Sequence, residues 1–267
     1  MLYVSLVNNK TATIKNRFYI FFLFVIFTNC KDKTTETKEN IEIPQLNIPD
    51  TKYDKKAVDY YRNEIESAVS LLVSQKQIIN LELNKNERAV IIAIAFPEVL
   101  RYNSFSDLIE TSSNRILYIN GGKIASDFSI GYFQMKPSFV EDLEKFVANS
   151  ENLEKYNSIV IQYKDEKKTR KERINRLENL QWQLRYLKVF WQVLDDKYKN
   201  IVFKNRDEKI RFYATAYNYG FLQSEKAIIK YQTIKVFPYG KNSKKKKLAF
   251  ADFSIDFINT YLTLFNQ

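Results

Sequence analysis

Val90-Ile-Ile-Ala-Ile-Ala-Phe96-Pro97-Glu98-Val-Leu-Arg101-Tyr102 is apolar on every side up to Phe96 and then presents a proline and a carboxylate. A run that is apolar all round is either a fully buried helix or a buried strand, and the alanines favour helix. Pro97 has no N–H to offer the carbonyl four residues back, so a helix is predicted to kink or end there. Glu98 is then predicted beside a helix C-terminus and against buried apolar surface. Desolvation and the negative end of the helix dipole would both raise its pKa. A raised pKa is what a general acid needs at neutral pH. The bland alternative is an ordinary surface ion pair with Arg101.

Outward from this run a helical period recurs. Val58, Tyr61, Ile65, Val69, Leu72 and Val73 predict a helix from Tyr53 to about Asn80, and the central helix is predicted to begin near Asn84. Further on, a helix is predicted over Pro137 to Val147. The charged stretch 165–173 leads into Leu177, Leu180, Leu184, Leu187, Trp191 and Leu194, spaced by threes and fours as one long amphipathic helix with a solvated end. Helices over 207–219, 221–232 and Phe253 to Phe265 complete a mainly α architecture. Its short β element is predicted at Ile116-Leu-Tyr-Ile119, running into the turn Asn120-Gly121-Gly122.

Composition narrows the chemistry. The 267 residues include one Cys and no His. That removes Ser-His-Asp and Cys-His relays, imidazole metal ligands, Cys-rich zinc sites and an intrachain disulfide. Five Gly and five Pro argue against glycine-built phosphate cradles and a loop-rich all-β fold. Neither a metal nor a cofactor is expected, so chemistry must rest on carboxylates, hydroxyls, amides or Lys. The net charge of +11 suits an anionic partner without choosing one.

The N-terminus indicates a compartment. Residues 1–29 carry Lys10, Lys15 and Arg17 and no acid, with the apolar run Phe18-Tyr-Ile-Phe-Phe-Leu-Phe-Val-Ile-Phe27. Such a run is shorter than the roughly 20 residues needed to span a bilayer and reads as a signal-peptide core. It ends at Thr28-Asn29-Cys30, and this resembles a bacterial lipoprotein signal, in which cleavage before the cysteine leaves Cys30 lipidated. A simple membrane anchor, or a secretory signal with a chance cysteine, is the other reading. Residues 30–50, polar from Lys31 to Asn40 with Pro44 and Pro49 beyond, are predicted to be a tether before one domain over 51–267. Removing the leader takes three positive charges from +11 and leaves +8.

Two further patches accompany Glu98. Asp127-Phe-Ser129-Ile-Gly131-Tyr132-Phe-Gln134-Met-Lys-Pro137 combines a glycine suited to close approach, an amide, and a proline suited to a helix start. Tyr213-Ala-Thr-Ala-Tyr217-Asn218-Tyr-Gly220 places a phenol and an amide near a glycine C-cap. Taken alone, they are a turn leading into a helix and a core tyrosine beside a cap. In this order Glu98, Gly131-Tyr-Phe-Gln134-Met-Lys-Pro137 and Ala216-Tyr217-Asn218-Tyr-Gly220 resemble the lysozyme-like domain of lytic murein transglycosylases over roughly 85–222. Val99 stands where that family usually has Ser, 103–126 reads as an insertion, and the family's Gly-Pro-Gly ending is absent.

The resemblance implies a lysozyme-like fold and cleavage of the β-1,4 bond between N-acetylmuramic acid and N-acetylglucosamine. Glu98 would act as both acid and base, and Tyr217 would orient or hydrogen-bond it. Ser129 and Gln134 would position acetamido or hydroxyl groups, Tyr132 would stack on a sugar, and Asn218 would support the site. Asp127 is either a second carboxylate that activates water, making the enzyme a hydrolytic muramidase, or a structural turn residue. The implied partners are peptidoglycan strands and, through Cys30, the periplasmic side of a membrane in the bacterial cell envelope. A non-catalytic cell-wall-binding lipoprotein is the rival class, favoured by Val99, the insertion and the missing glycines. Nucleic acid, suggested by Lys244-Lys-Lys-Lys247, is disfavoured by the secretory start.

Overall fold

The computed structural model describes residues 53–104 and 112–267; the leader, Cys30 and the predicted tether lie outside them. The described part of the chain is mainly helical, as the periodicity predicts. Its order is α1 (Lys55–Asp59), α2 (Arg62–Ser74), α3 (Lys76–Glu82), α4 (Arg88–Ser104), α5 (Ser112–Gly121), α6 (Pro137–Ala148), α7 (Glu166–Leu177), α8 (Leu180–Lys197), α9 (Arg206–Tyr219), α10 (Glu225–Tyr231), a pair of short strands β1 (Lys235–Phe237) and β2 (Leu248–Ala249), and α11 (Phe250–Asn266). Single 3-10 segments cover Gly122–Ile124 and Glu151–Ile159.

The apolar run is the central helix α4. Every residue from Ile91 to Leu100 is buried, and α4 packs against α2, α8, α9 and α11. Pro97 does not end it: the helix passes through the proline to Ser104. An interior proline costs about 3 kcal/mol, whereas each fully buried Ile, Leu or Phe contributes roughly 1.5–3 kcal/mol. Burial of the surrounding run therefore outweighs the missing hydrogen bond. The amphipathic helix α11 covers α4, with Phe257 stacked on Phe96 at 4.4 Å between ring centroids. Two ion pairs hold α11 in register: Arg211 of α9 with Asp252 at 2.8 Å, and Arg62 of α2 with Asp256 at 2.9 Å.

Elsewhere local chemistry divides what periodicity joins. The helix predicted from Tyr53 to Asn80 is three helices, broken at Tyr60-Tyr61 and at Gln75. The long helix predicted through 165–194 breaks at Glu178-Asn179. There the Asn179 side chain accepts from the Trp182 N–H at 3.2 Å and caps α8, while Gln183 Nε2 donates to the carbonyl of Leu177. The strand predicted at Ile116–Ile119 is instead part of α5. Four consecutive apolar residues would suit a strand covered on both faces, yet Ile116 and Leu117 are 58% and 49% exposed and Tyr118 alone of the four is buried. Its hydroxyl donates to Glu141 at 2.8 Å and accepts from Arg173 at 2.7 Å, joining α5 to α6 and α7. The actual β pair, β1 with β2, is antiparallel and too short to carry a period-two signal. Among the described residues no helix is long and apolar enough to cross a membrane.

Candidate active site around Glu98

Because α4 continues past Pro97, Glu98 lies nearly two turns before the helix end. The expected dipole contribution therefore falls away, since it is confined to the last turn. Burial alone raises the pKa. Glu98 is 7% exposed, and its Oε2 has no hydrogen-bond partner. Desolvation pushes the carboxyl up to about 7, against smaller lowering effects of Arg101 and Lys136. The Arg101 pair exists, with Nη1 at 3.5 Å from Oε2. It joins a half-exposed guanidinium to a buried carboxylate, so it is not an ordinary surface pair.

The Gly131–Gln134 stretch forms a tight hairpin. Ile130 N–H donates to Met135 O at 2.9 Å, Met135 N–H returns to Ile130 O at 3.1 Å, and Gln134 N–H donates to Gly131 O at 3.0 Å. Two residues take positive φ, Gly131 at 71° and Gln134 at 47°. Gly131 is required by space as well as by φ, because a Cβ there would lie 1.6 Å from Gln183 Nε2. That side chain, fully buried on α8, accepts from the Phe133 N–H at 3.0 Å. On the other side, the Tyr217 hydroxyl of α9 donates to the Phe133 carbonyl at 2.7 Å. Both polar groups of one residue in the hairpin are thus gripped by separate helices.

The other singled-out side chains make the following contacts. Tyr217 hydrogen-bonds the hairpin rather than Glu98. It is nonetheless near the carboxylate, for burial first and then the Glu98 charge raise its pKa well above the phenol range. Gln134 spends its Nε2 on Gly131 O at 2.9 Å, bracing the turn from within. The Tyr132 ring lies 5.2 Å from Tyr102, which is one turn beyond Glu98 on α4, so an aromatic pair bridges the helix and the hairpin. Ser129 and Asn218 are half-buried, and their side chains make no hydrogen bond among the described residues. Asp127 accepts from the Ser138 N–H at 3.0 Å and Oγ at 2.8 Å, and Lys136 Nζ lies 3.8 Å away. It braces the start of α6, and Lys136 is within electrostatic reach of both carboxylates.

Glu98, Tyr217 and the hairpin therefore converge, supported beneath by Phe139, Phe190 and Phe221. Phe139 meets Phe190 at 5.1 Å and Tyr217 at 5.2 Å, and Phe221 meets Phe190 at 5.5 Å. Sequence reading missed Gln183, although the signal is present: it is an amide lying on the apolar stripe of α8 between Leu180 and Leu187. It also missed Tyr102 as the partner of Tyr132. Open grooves run along α6 past Lys145 and Phe146, past Glu144 and Arg173, and beside Tyr198. Glu98 lines none of these three. Among the described residues no three Asp, Glu or Cys side chains converge as a metal cage requires. Comparison with protein families, with curated proteins and with solved structures finds no match to this chain.

Proposed function

We propose that this chain is a peptidoglycan-cleaving lytic transglycosylase with a lysozyme-like domain, and that Glu98 alone serves as acid and base. The observation that carries the reading is the Glu98 carboxyl itself, buried behind an apolar helix with only the Arg101 guanidinium beside Oε2 at 3.5 Å, so that desolvation pushes its pKa up to about 7. A group so poised is protonated in a large fraction of molecules at neutral pH, as a general acid requires.

In this mechanism protonated Glu98 delivers its proton to the glycosidic oxygen as the bond to the muramic C1 breaks. The substrate acetamido oxygen takes up the positive charge developing at C1. Glu98, now a carboxylate and a strong base in its apolar setting, removes the proton of the muramic C6 hydroxyl. The C6 oxygen closes on C1, giving a 1,6-anhydro end and regenerating the acid. No water is consumed and no second carboxylate is needed, in keeping with Asp127 being engaged at α6. Tyr217 and Gln183 act through the hairpin, holding Tyr132 in place as a sugar platform. Tyr217 is a positioning residue in this scheme and Glu98 the catalytic one.

The envelope provides the substrate, and a lipidated Cys30 would hold the domain beside it. Mass spectrometry of peptidoglycan incubated with the protein tests the reading. Anhydro-ended fragments lost on Glu98→Gln support it. Hydrated reducing ends would instead indicate a muramidase, and binding without any cleavage a non-catalytic wall protein.

A further inference from the structure

From Lys226 to Ala251 the chain carries eight lysines, no arginine and no acid. Five of them fall in the segment 238–247 that joins β1 to β2. Lys241, Lys244, Lys245 and Lys246 are exposed, and none has a carboxylate partner among the described residues. Asp59, beside Tyr60, pairs with Arg62 at 2.6 Å.

The loop is held in shape. The Tyr61 hydroxyl donates to the Lys246 carbonyl, Lys247 Nζ donates to Lys241 O at 2.8 Å, Lys245 N–H donates to Ser243 Oγ at 3.1 Å, and Gly240 N–H donates to Val236 O at 2.7 Å. Two ammonium groups rest over aromatic faces, Lys245 at 4.7 Å from the Tyr239 ring centre and Lys246 at 5.1 Å from that of Tyr60. Tyr60 is 63% exposed and ends α1.

We propose that the face formed by Lys241, Lys244–Lys247 and Tyr60 docks on an anionic phospholipid surface. Lysines are point charges suited to mobile headgroup phosphates, whereas arginine supplies the bidentate fork that fixed phosphates and bases reward. Base stacking needs open ring faces, and an ammonium group lies over one face each of Tyr60 and Tyr239. An exposed tyrosine with an apolar body and a polar tip suits the headgroup level. Only 22 residues separate Cys30 from Tyr53, so a lipid at Cys30 would keep the domain close to the bilayer. A single lipid chain binds only marginally and gains from a polybasic second signal. The proposal rests on membrane delivery of the chain and not on the chemistry of Glu98.

The test is flotation of the full chain with neutral phosphatidylcholine vesicles and with vesicles that also contain phosphatidylglycerol. The comparison is between wild type and a variant carrying K241Q, K244Q, K245Q and K246Q. The apolar leader is common to both proteins, so neutral vesicles measure its share. With each lysine near an anionic surface favouring binding about fivefold, the variant is expected to lose roughly a hundredfold or more of the phosphatidylglycerol-dependent partition. The wild-type preference is expected to fade in high salt. Circular dichroism of the variant checks that the exposed substitutions leave the fold intact, and Tyr60→Ser provides a second, charge-neutral probe. Equal binding of both proteins to phosphatidylglycerol vesicles overturns the proposal. So does a variant that loses only nucleic-acid or wall-polymer retention. Peptidoglycan cleavage by the variant is expected to persist on soluble fragments, which separates this failure from failure of the Glu98 reading.

Discussion

Replacing Glu98 by Gln is expected to make stability less dependent on pH, in a direction opposite to that of a salt-bridged carboxylate. The carboxyl titrates near 4.5 when solvated and near 7 in the fold. Between those values the native protein holds a proton that the unfolded chain has released, so wild-type stability declines as pH rises through the window. At roughly 1.4 kcal/mol per pKa unit, the decline amounts to about 3 kcal/mol. It is absent below about 4.5 and complete above about 7. Gln has no such proton. Its amide brings a burial cost of its own, about 1–3 kcal/mol if unsatisfied, but that offset does not vary with pH. The informative quantity is therefore the variant-minus-wild-type difference in unfolding free energy, measured by urea titration near pH 4 and again near pH 9. All other titrating groups cancel in it, and it should move by about 3 kcal/mol in favour of Gln as pH rises. A flat difference would mean that Glu98 titrates like a solvated carboxylate. A difference moving toward wild type would mean that Arg101 and Lys136 dominate over burial. Either result removes the basis for a poised acid.

Further outcomes follow from the same geometry. Peptidoglycan cleavage, read as kcat/KM, is expected to fall tenfold per pH unit above about 7 as Glu98 loses its proton, and Arg101→Gln should move that alkaline limb upward by removing a neighbouring positive charge. Gly131→Ala forces a side chain into the Gln183 amide at a φ of 71°; it should destabilise by about 2–4 kcal/mol in urea unfolding, and a variant of wild-type stability would show that the hairpin is not clamped as described. Tyr217→Phe leaves the Phe133 carbonyl without its donor and is expected to cost about 1–2 kcal/mol of stability. It should lower cleavage without shifting the alkaline limb, because the phenol acts on the hairpin and not on the Glu98 proton; a shifted limb would put Tyr217 in direct contact with the carboxyl.

Apolar periodicity is a local property, and the helices α4, α6, α9 and α11 could be read from it because each buries one stripe or its whole surface. Breaks were harder to see. Asn179 interrupts an unbroken leucine period because its side chain caps α8, and Tyr60-Tyr61 interrupts another where the Tyr61 hydroxyl reaches the Lys246 carbonyl across the chain. The Ile116–Ile119 segment resembles a strand in isolation. It becomes helical because Tyr118 must reach Glu141 and Arg173 while its neighbours remain in solvent.

The site shows the same division. An acid following an apolar run is visible in one dimension, and so are a glycine-bearing turn and a tyrosine before a helix cap. By itself the sequence determined which groups are available for chemistry, with no histidine and a glutamate in apolar surroundings, because composition and patterning are properties of the chain. Tertiary structure decided which contacts those groups make. It carried α4 through Pro97 because burial outweighs one lost hydrogen bond, and thereby left desolvation rather than the helix dipole to raise the Glu98 pKa. It turned Tyr217 toward Phe133, set Gln183 behind Gly131 and tied Asp127 to α6. These are contacts between residues tens of positions apart, and no local pattern encodes which donor will find which acceptor once the helices pack.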